Sequence, residues 1–106
     1  MNKISVLAID LGGESGRVIK MDFDGVKFYL DEIHRFPNLP VEASGTTYWD
    51  VLSLWREIQS GIAKSSSVNS LGVDSWAVDF ALLDCHGKLL SNPLHYRDKC
   101  SEGMME

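Results

Sequence analysis

Three kinds of apolar pattern run along the chain, and each predicts a different element. Residues 4–10 are apolar on both faces, with Ile4, Val6 and Ala8 on one and Leu7 and Ile9 on the other. A strand of that kind belongs in the interior of a sheet. Residues 17–23 continue as a second strand. Asp24-Gly25 then lies between Phe23 and Val26, a two-residue hairpin signal because both positions tolerate positive φ. Residues 26–34 alternate, with Val26, Phe28 and Leu30 set against Lys27, Tyr29 and Asp31, and predict a third strand. Three strands in antiparallel succession follow from this reading.

The period then changes. Phe36-Pro37-Asn38-Leu39-Pro40 ends the third strand, and Ser44, Gly45, Thr46 and Thr47 read as loop. Asp50 is a helix N-cap, with Trp49 before it and Leu54 four residues after in the pattern of a hydrophobic staple. Val51, Leu54, Trp55, Ile58 and Ile62 recur at helical spacing and are expected to face the core. The helix is predicted to run to about Lys64 and to stop in Ser65-Ser66-Ser67. Residues 70–76 and 80–84 read as further strands, the second ending in a turn at Cys85-His86-Gly87. A helix between the third strand and residues 70–76 allows a parallel crossover. The expected fold class is therefore α/β, a mixed sheet with antiparallel opening strands, covered by a helix.

Composition narrows the function classes. The 106 residues suit one small domain, 44% are hydrophobic and 24% charged, and no repeat or low-complexity tract occurs. A net charge of −5 argues against nucleic acid as a partner, which would call for a basic face. The opening residues lack the long apolar core of a signal peptide, and nothing approaches the roughly 20 apolar residues of a membrane span. A cytoplasmic protein with no membrane partner is expected. Cys85 and Cys100 lack metal-knuckle spacing, and two thiols with no disulfide suit that compartment. The sequence stops at Glu106 where a new helix is expected to start, without an evident closing element, and the expectation is a fragment.

The stretch Asp10-Leu-Gly-Gly-Glu-Ser-Gly-Arg17 carries the most chemistry. A carboxylate at the end of a buried strand is expensive to desolvate without a partner. Gly12, Gly13 and Gly16 let the backbone approach a ligand closely, and N–H groups in such a turn cradle phosphate oxygens. Asp10 suits Mg²⁺, which takes few carboxylates together with waters and phosphates, and Ser15 offers a hydroxyl donor. The same residues also suit a glycine-rich hairpin turn with a solvated aspartate, and the pattern alone leaves both readings open. It is not a Walker A loop, since the Gly-Lys-Ser/Thr ending is missing.

The stretch from Asp10 to Arg17 resembles the first phosphate motif of the FGGY carbohydrate kinases, members of the actin-like (ribonuclease H-like) ATPase superfamily. Further matches in the same order are Glu32-Ile-His-Arg-Phe-Pro-Asn38, Trp49-Asp50, Leu71-Gly-Val-Asp-Ser-Trp-Ala-Val-Asp-Phe-Ala-Leu-Leu-Asp84, and His95-Tyr-Arg-Asp98 followed by Gly103-Met-Met105. These narrow the resemblance to the branch of the family that phosphorylates L-rhamnulose. The resemblance implies that residues 1–106 are the N-terminal portion of the first kinase domain, and that ATP, Mg²⁺ and a ketose are the ligands of the whole protein. L-fuculose and L-xylulose are the alternative sugars, and a non-catalytic sugar- or nucleotide-binding module is the alternative class. By this resemblance Asp10 is the magnesium-associated carboxylate, and Gly12, Gly13 and Ser15 line the β/γ-phosphate turn. Arg17 either neutralises phosphate charge or braces the turn. The resemblance puts Ser75, Trp76, Ala77 and Asp79 near the sugar, with Arg97 and Asp98 facing the cleft. Trp76 has core packing as its plain alternative, and Arg97 with Asp98 an exposed ion pair. Glu14 stands where the family often has a small or hydroxyl residue, and Ala77 where many relatives have glycine. The resemblance puts the catalytic base and the adenine pocket beyond residue 106. The remainder of the kinase is thus the chain's necessary partner, and the 106 residues alone are not expected to transfer phosphate.

The other candidates have local explanations. His34 ends a strand, His86 lies in a turn, and neither has a second ligand at metal spacing. His95 is either a substrate contact or a solvated loop residue. Met104 and Met105 are expected to be the buried start of a further helix.

Overall fold

The computed structural model describes residues 3–97. The expectations for Asp98, Cys100, Gly103, Met104 and Met105 lie outside the described residues. Four strands form one mixed sheet: β1 (Ile4–Leu11), β2 (Ser15–Phe23), β3 (Phe28–Pro37) and, after a helix, β6 (Ser70–Asp74). Their order is β3-β2-β1-β6, with β1–β2 and β2–β3 antiparallel and β1–β6 parallel. The strand that is apolar on both faces is thus an interior one. A separate hairpin of β4 (Val41–Ala43) and β5 (Thr46–Tyr48) precedes helix α1 (Val51–Lys64).

Alternation along the strands decides what each face does. Leu7 and Ile9 of β1, Val18 of β2 and Phe36 of β3 share one face, and with Leu54 of α1 they form the buried core. The helix lies close over this face. A Cβ on Gly61 would come within 2.4 Å of the Val18 side chain, so α1 keeps a glycine that is otherwise unfavourable inside a helix. The crossover is pinned at its return. Asn69 Oδ1 accepts from the Ser5 N–H at 2.8 Å and the Asn69 N–H donates to the Ser5 carbonyl at 2.7 Å, setting the parallel register Val6↔Ser70 to Asp10↔Asp74.

Several boundaries differ from the expected ones, each for a local reason. Asp24 closes the β2–β3 turn instead of occupying its tip. Its Oδ1 accepts from the N–H groups of Val26 and Lys27, both at 2.8 Å, which leaves Gly25-Val26 as the loop and pairs Phe23 with Phe28. These bonds hold the exposed Asp24 carboxyl below its ordinary pKa. Ile33 is an extra residue in β3, since Val18 faces His34 while Ile19 faces Glu32. Residues 44–47 contribute to a hairpin and not to a loop, because Ser44 and Gly45 both adopt positive φ (52° and 78°), as a two-residue turn between twisted strands requires. Residues 80–84 do not form a strand. A single bridge joins Leu83 to Leu89, and Asp84 Oδ1 draws in the N–H groups of His86 and Lys88. The last strand stops at Asp74, before Trp76. In α1 the Asp50 cap holds, its Oδ1 accepting from the Ser53 N–H at 3.2 Å. Leu54 and Ile58 reach the core, but Trp55 and Ile62 are 55% and 39% exposed and depart from the expected core stripe.

The chain separates into two compact units, one of Met1–Asn38 with Leu54–Trp76 and the other of Leu39–Ser53 with Ala77–Glu106. Among the described residues no helix is long and apolar enough to cross a membrane.

Candidate functional site

Asp10 and Arg17 face each other across the β1–β2 ladder, on the side of the sheet opposite the core. Their side chains are 35% and 40% exposed, and Arg17 Nη2 donates to Asp10 Oδ2. The arginine therefore meets the aspartate directly, which gives Asp10 the partner its position at a strand end demands. Asp74 stands in register with Asp10 on the neighbouring parallel strand, so both carboxylates lie at the carboxyl ends of β1 and β6 and on one face. That end of adjacent parallel strands is where open α/β sheets bind ligands. A groove of about 630 Å³ runs along this face, lined by Val6, Ala8, Ile19 and Gly72 as well as the two aspartates.

Between the paired residues lies the turn. Gly12 N–H donates to the Ser15 carbonyl at 2.8 Å, which leaves Gly13 and Glu14 at the exposed tip. None of Gly12, Gly13 and Gly16 has positive φ, so their value is room and not handedness. A Cβ on Gly12 would sit 3.0 Å from the Ser15 carbonyl oxygen, and one on Gly16 would enter the Phe36 ring, whereas Gly13 has open space around it. Glu14 is exposed.

The turn is held from just past the end of β3 by Asn38, a role that no local pattern signals. Its N–H donates to the Glu14 carbonyl at 2.9 Å and its Nδ2 to the Gly12 carbonyl at 2.8 Å. The side chain is buried, and its Oδ1 has no hydrogen-bond partner among the described residues. Because the side-chain contact is to a carbonyl oxygen, the amide must present Nδ2 and not Oδ1 to Gly12. Asn38→Ala in the full-length protein is expected to lower stability by about 1–3 kcal/mol, since the Gly12 carbonyl loses its donor. Asn38→Asp, which sets a buried carboxylate against that carbonyl, is expected to be the worse of the two. Denaturant midpoints of both variants check this ordering.

The residues expected near the sugar fall in both units. Ser75 is exposed, and its Oγ makes a long contact of 3.4 Å with the Trp76 carbonyl. Trp76 packs partly buried against the core cluster, which is its plainer role. In the second unit, Ala77 is exposed and Asp79 partly buried. Asp79 Oδ2 accepts from the indole Nε1 of Trp49 at 2.5 Å. His95 is neither solvated nor exposed: it is buried, its ring lies 4.2 Å from that of Trp49, and Nδ1 accepts from the Arg97 N–H. Arg97 lies over the Tyr96 ring, 5.3 Å from its centre. His34 is bound on both nitrogens, with Nε2 donating to Glu57 at 2.6 Å and Nδ1 accepting from Lys64 at 2.9 Å. That arrangement braces α1 on β3 and uses up the imidazole. Among the described residues no three His, Cys, Asp or Glu side chains gather as a metal cluster.

These elements, in this order, reproduce the fold of part of solved sugar-kinase structures. The gluconate kinase of Lactobacillus acidophilus superposes on 97% of this chain, 22% of its own, with a TM-score of 0.70 at 14% identity. A carbohydrate kinase from Novosphingobium aromaticivorans covers 93% of the chain, 21% of its own, with a TM-score of 0.71 at 24% identity. The sequence relatives are more specific, for they are rhamnulokinases. The chain is 44% identical over 104 residues to that of Halalkalibacterium halodurans and 42% identical over 108 residues to that of Bacteroides thetaiotaomicron. These alignments take in 94% and 98% of the chain but only 22% of either relative, so the chain spans less than a quarter of their length. No family model matches the chain.

Proposed function

We propose that the full-length protein transfers the γ-phosphoryl group of ATP to a ketose hydroxyl, with L-rhamnulose as substrate and L-rhamnulose 1-phosphate as product. The observation that carries this reading is the 42–44% identity to rhamnulokinases over nearly the whole chain. The arrangement around Asp10 supports it. Phosphoryl transfer depends on positioning and charge stabilisation, and a carboxylate–guanidinium pair beside a tight turn suits both.

In this reading Gly12, Gly13 and Ser15 take the β/γ-phosphate end of ATP, and Arg17 holds Asp10 by Oδ2 while adding positive charge next to the phosphates. Asp10, partly exposed with Asp74 in register, fits the donor set of Mg²⁺, which takes one or two carboxylates and keeps waters and phosphate oxygens. Bound there, the ion would neutralise phosphate charge. Ser75, Ala77, Asp79, Arg97 and Asp98 serve the sugar, while Trp76 packs against the core cluster. The base that takes the sugar proton lies outside these 106 residues, so the chain alone is not expected to be active. A cytoplasmic location completes the proposal.

The test is ADP release by the full-length protein with Mg-ATP and a panel of ketoses. Release stimulated chiefly by L-rhamnulose is the expected result. Stimulation by L-fuculose or L-xylulose instead would keep the reaction and change the substrate. No stimulation by any ketose would overturn the kinase reading in favour of a binding module.

A further inference from the structure

Within the unit formed by Leu39–Ser53 and Ala77–Glu106, Trp49 is fixed on several sides. It is 1% exposed, its backbone N–H donates to the Pro93 carbonyl at 2.9 Å, and its ring lies against the buried ring of His95. His95 is itself anchored, its N–H donating to the Thr47 carbonyl at 2.9 Å. The direction of the indole N–H is therefore set by packing, and it points at Asp79 Oδ2, 30 residues further along the chain.

The backbone beside that carboxylate is strained. Val78 has φ of 71°, a left-handed conformation that a β-branched residue rarely adopts, and its side chain is 82% exposed. Packing of the valine side chain does not reward this geometry. Strain of this kind persists where the surroundings over-determine it, and it concentrates where a side chain must be aimed. The bond from Trp49 to Asp79 is such a constraint, one residue from the strained position.

We propose that Trp49 is a positioning residue whose indole N–H holds the Asp79 carboxylate, and with it the strained turn 77–79, in the orientation that receives a ketose hydroxyl. The inference rests on the reading of Asp79 as a sugar-binding group. A carboxylate accepts several hydrogen bonds, so one fixed by an indole remains an acceptor for a hydroxyl. Fixing it in advance removes an ordering cost that binding would otherwise meet.

The experiment uses the full-length protein and measures KM for the ketose, KM for ATP and kcat in Trp49→Phe, Asp79→Asn and the double variant. Trp49→Phe is expected to raise the ketose KM about tenfold, the scale of one hydrogen bond to a charged group, and to leave the KM for ATP unchanged. Because Trp49 acts through Asp79, the double variant is expected to be no worse than Asp79→Asn alone. A multiplied effect in the double variant would overturn the inference. If Asp79→Asn raises the ketose KM and Trp49→Phe does not, the positioning role is lost while the sugar role stands. If Asp79→Asn changes nothing, the sugar reading of Asp79 fails first and takes the inference with it. Val78→Gly covers the case in which the buried Trp49→Phe does not fold. Glycine accepts the strained φ freely, so with the Trp49 clamp intact the ketose KM is expected to stay within about twofold. A rise of about tenfold would show that the valine and not the clamp sets the turn, and would overturn the proposal.

Discussion

Asp10→Asn in the full-length protein is expected to lower ketose-stimulated ADP release by about 10²–10³-fold, the scale seen when one preorganised charge-stabilising group is removed from a reacting centre. The substitution keeps the shape of the side chain and removes its charge. Its effect on stability is expected to be small, because the pair it breaks is only half-buried and water reaches both side chains. With the two side chains 40% and 35% exposed, Arg17 rehydrates once its partner is neutral, and such pairs contribute about 0–1 kcal/mol. A large loss of activity with an unchanged denaturation midpoint would therefore place Asp10 at the reacting phosphate. Activity within a few-fold of the parent would mean that Asp10 serves the hairpin and not the ligand. Arg17→Ala separates the two roles left open for the arginine. If Arg17 only braces Asp10, adding Arg17→Ala to Asp10→Asn changes nothing further. If it neutralises phosphate charge itself, the double variant loses more than either single one.

What could be read from the sequence was whatever is written locally. The continuous apolar run from Ile4 to Ile9 made β1 an interior strand, and Asp50 with Leu54 and Ile58 behind it placed α1 to within a residue. The errors came where a side chain or a rare backbone angle replaced the usual signal. Asp24 and Asp84 each capture two backbone N–H groups through one carboxylate oxygen, moving a turn by a residue in one case and replacing a strand in the other. Ser44 and Gly45 take left-handed angles, and so residues 44–47, expected as loop, close a hairpin instead. The candidate site divides in the same way. Asp10 and Arg17 were legible because they flank a turn only a few residues long. Asp74, Asn38 and Trp49 were not, because their relation to the site depends on partners 64, 26 and 30 residues away, and no local pattern encodes contacts of that span.

Gly16→Ala is the second variant with a large expected effect, and it tests whether the glycines of the motif serve the ligand or the core. Gly16 does not have positive φ, so alanine brings no backbone strain. It brings a methyl group to within 2.3 Å of two atoms of the Phe36 ring and 3.1 Å of a third. Phe36 has little freedom to retreat, since its side chain is almost fully buried among Leu7, Ile9, Val18 and Leu54. Overpacking of this kind costs about 1–3 kcal/mol. Gly13→Ala is the control, because nothing lies within 4 Å of the added methyl, and a change within about 0.5 kcal/mol is expected. The strain at residue 16 does not stay in the core. Asn38, two residues beyond Phe36, carries both donors that hold the Gly12–Glu14 turn, so a displaced β3 is expected to raise the KM for ATP as well as lower the denaturant midpoint. Phe36→Leu removes ring atoms from the crowded side and leaves a void when made alone. Combined with Gly16→Ala, each change relieves the other, and the double variant is expected to be more stable than the sum of the two single losses. Simple additivity would mean that β3 has already moved away from the methyl, and that the contact between Gly16 and Phe36 does not set the position of the turn.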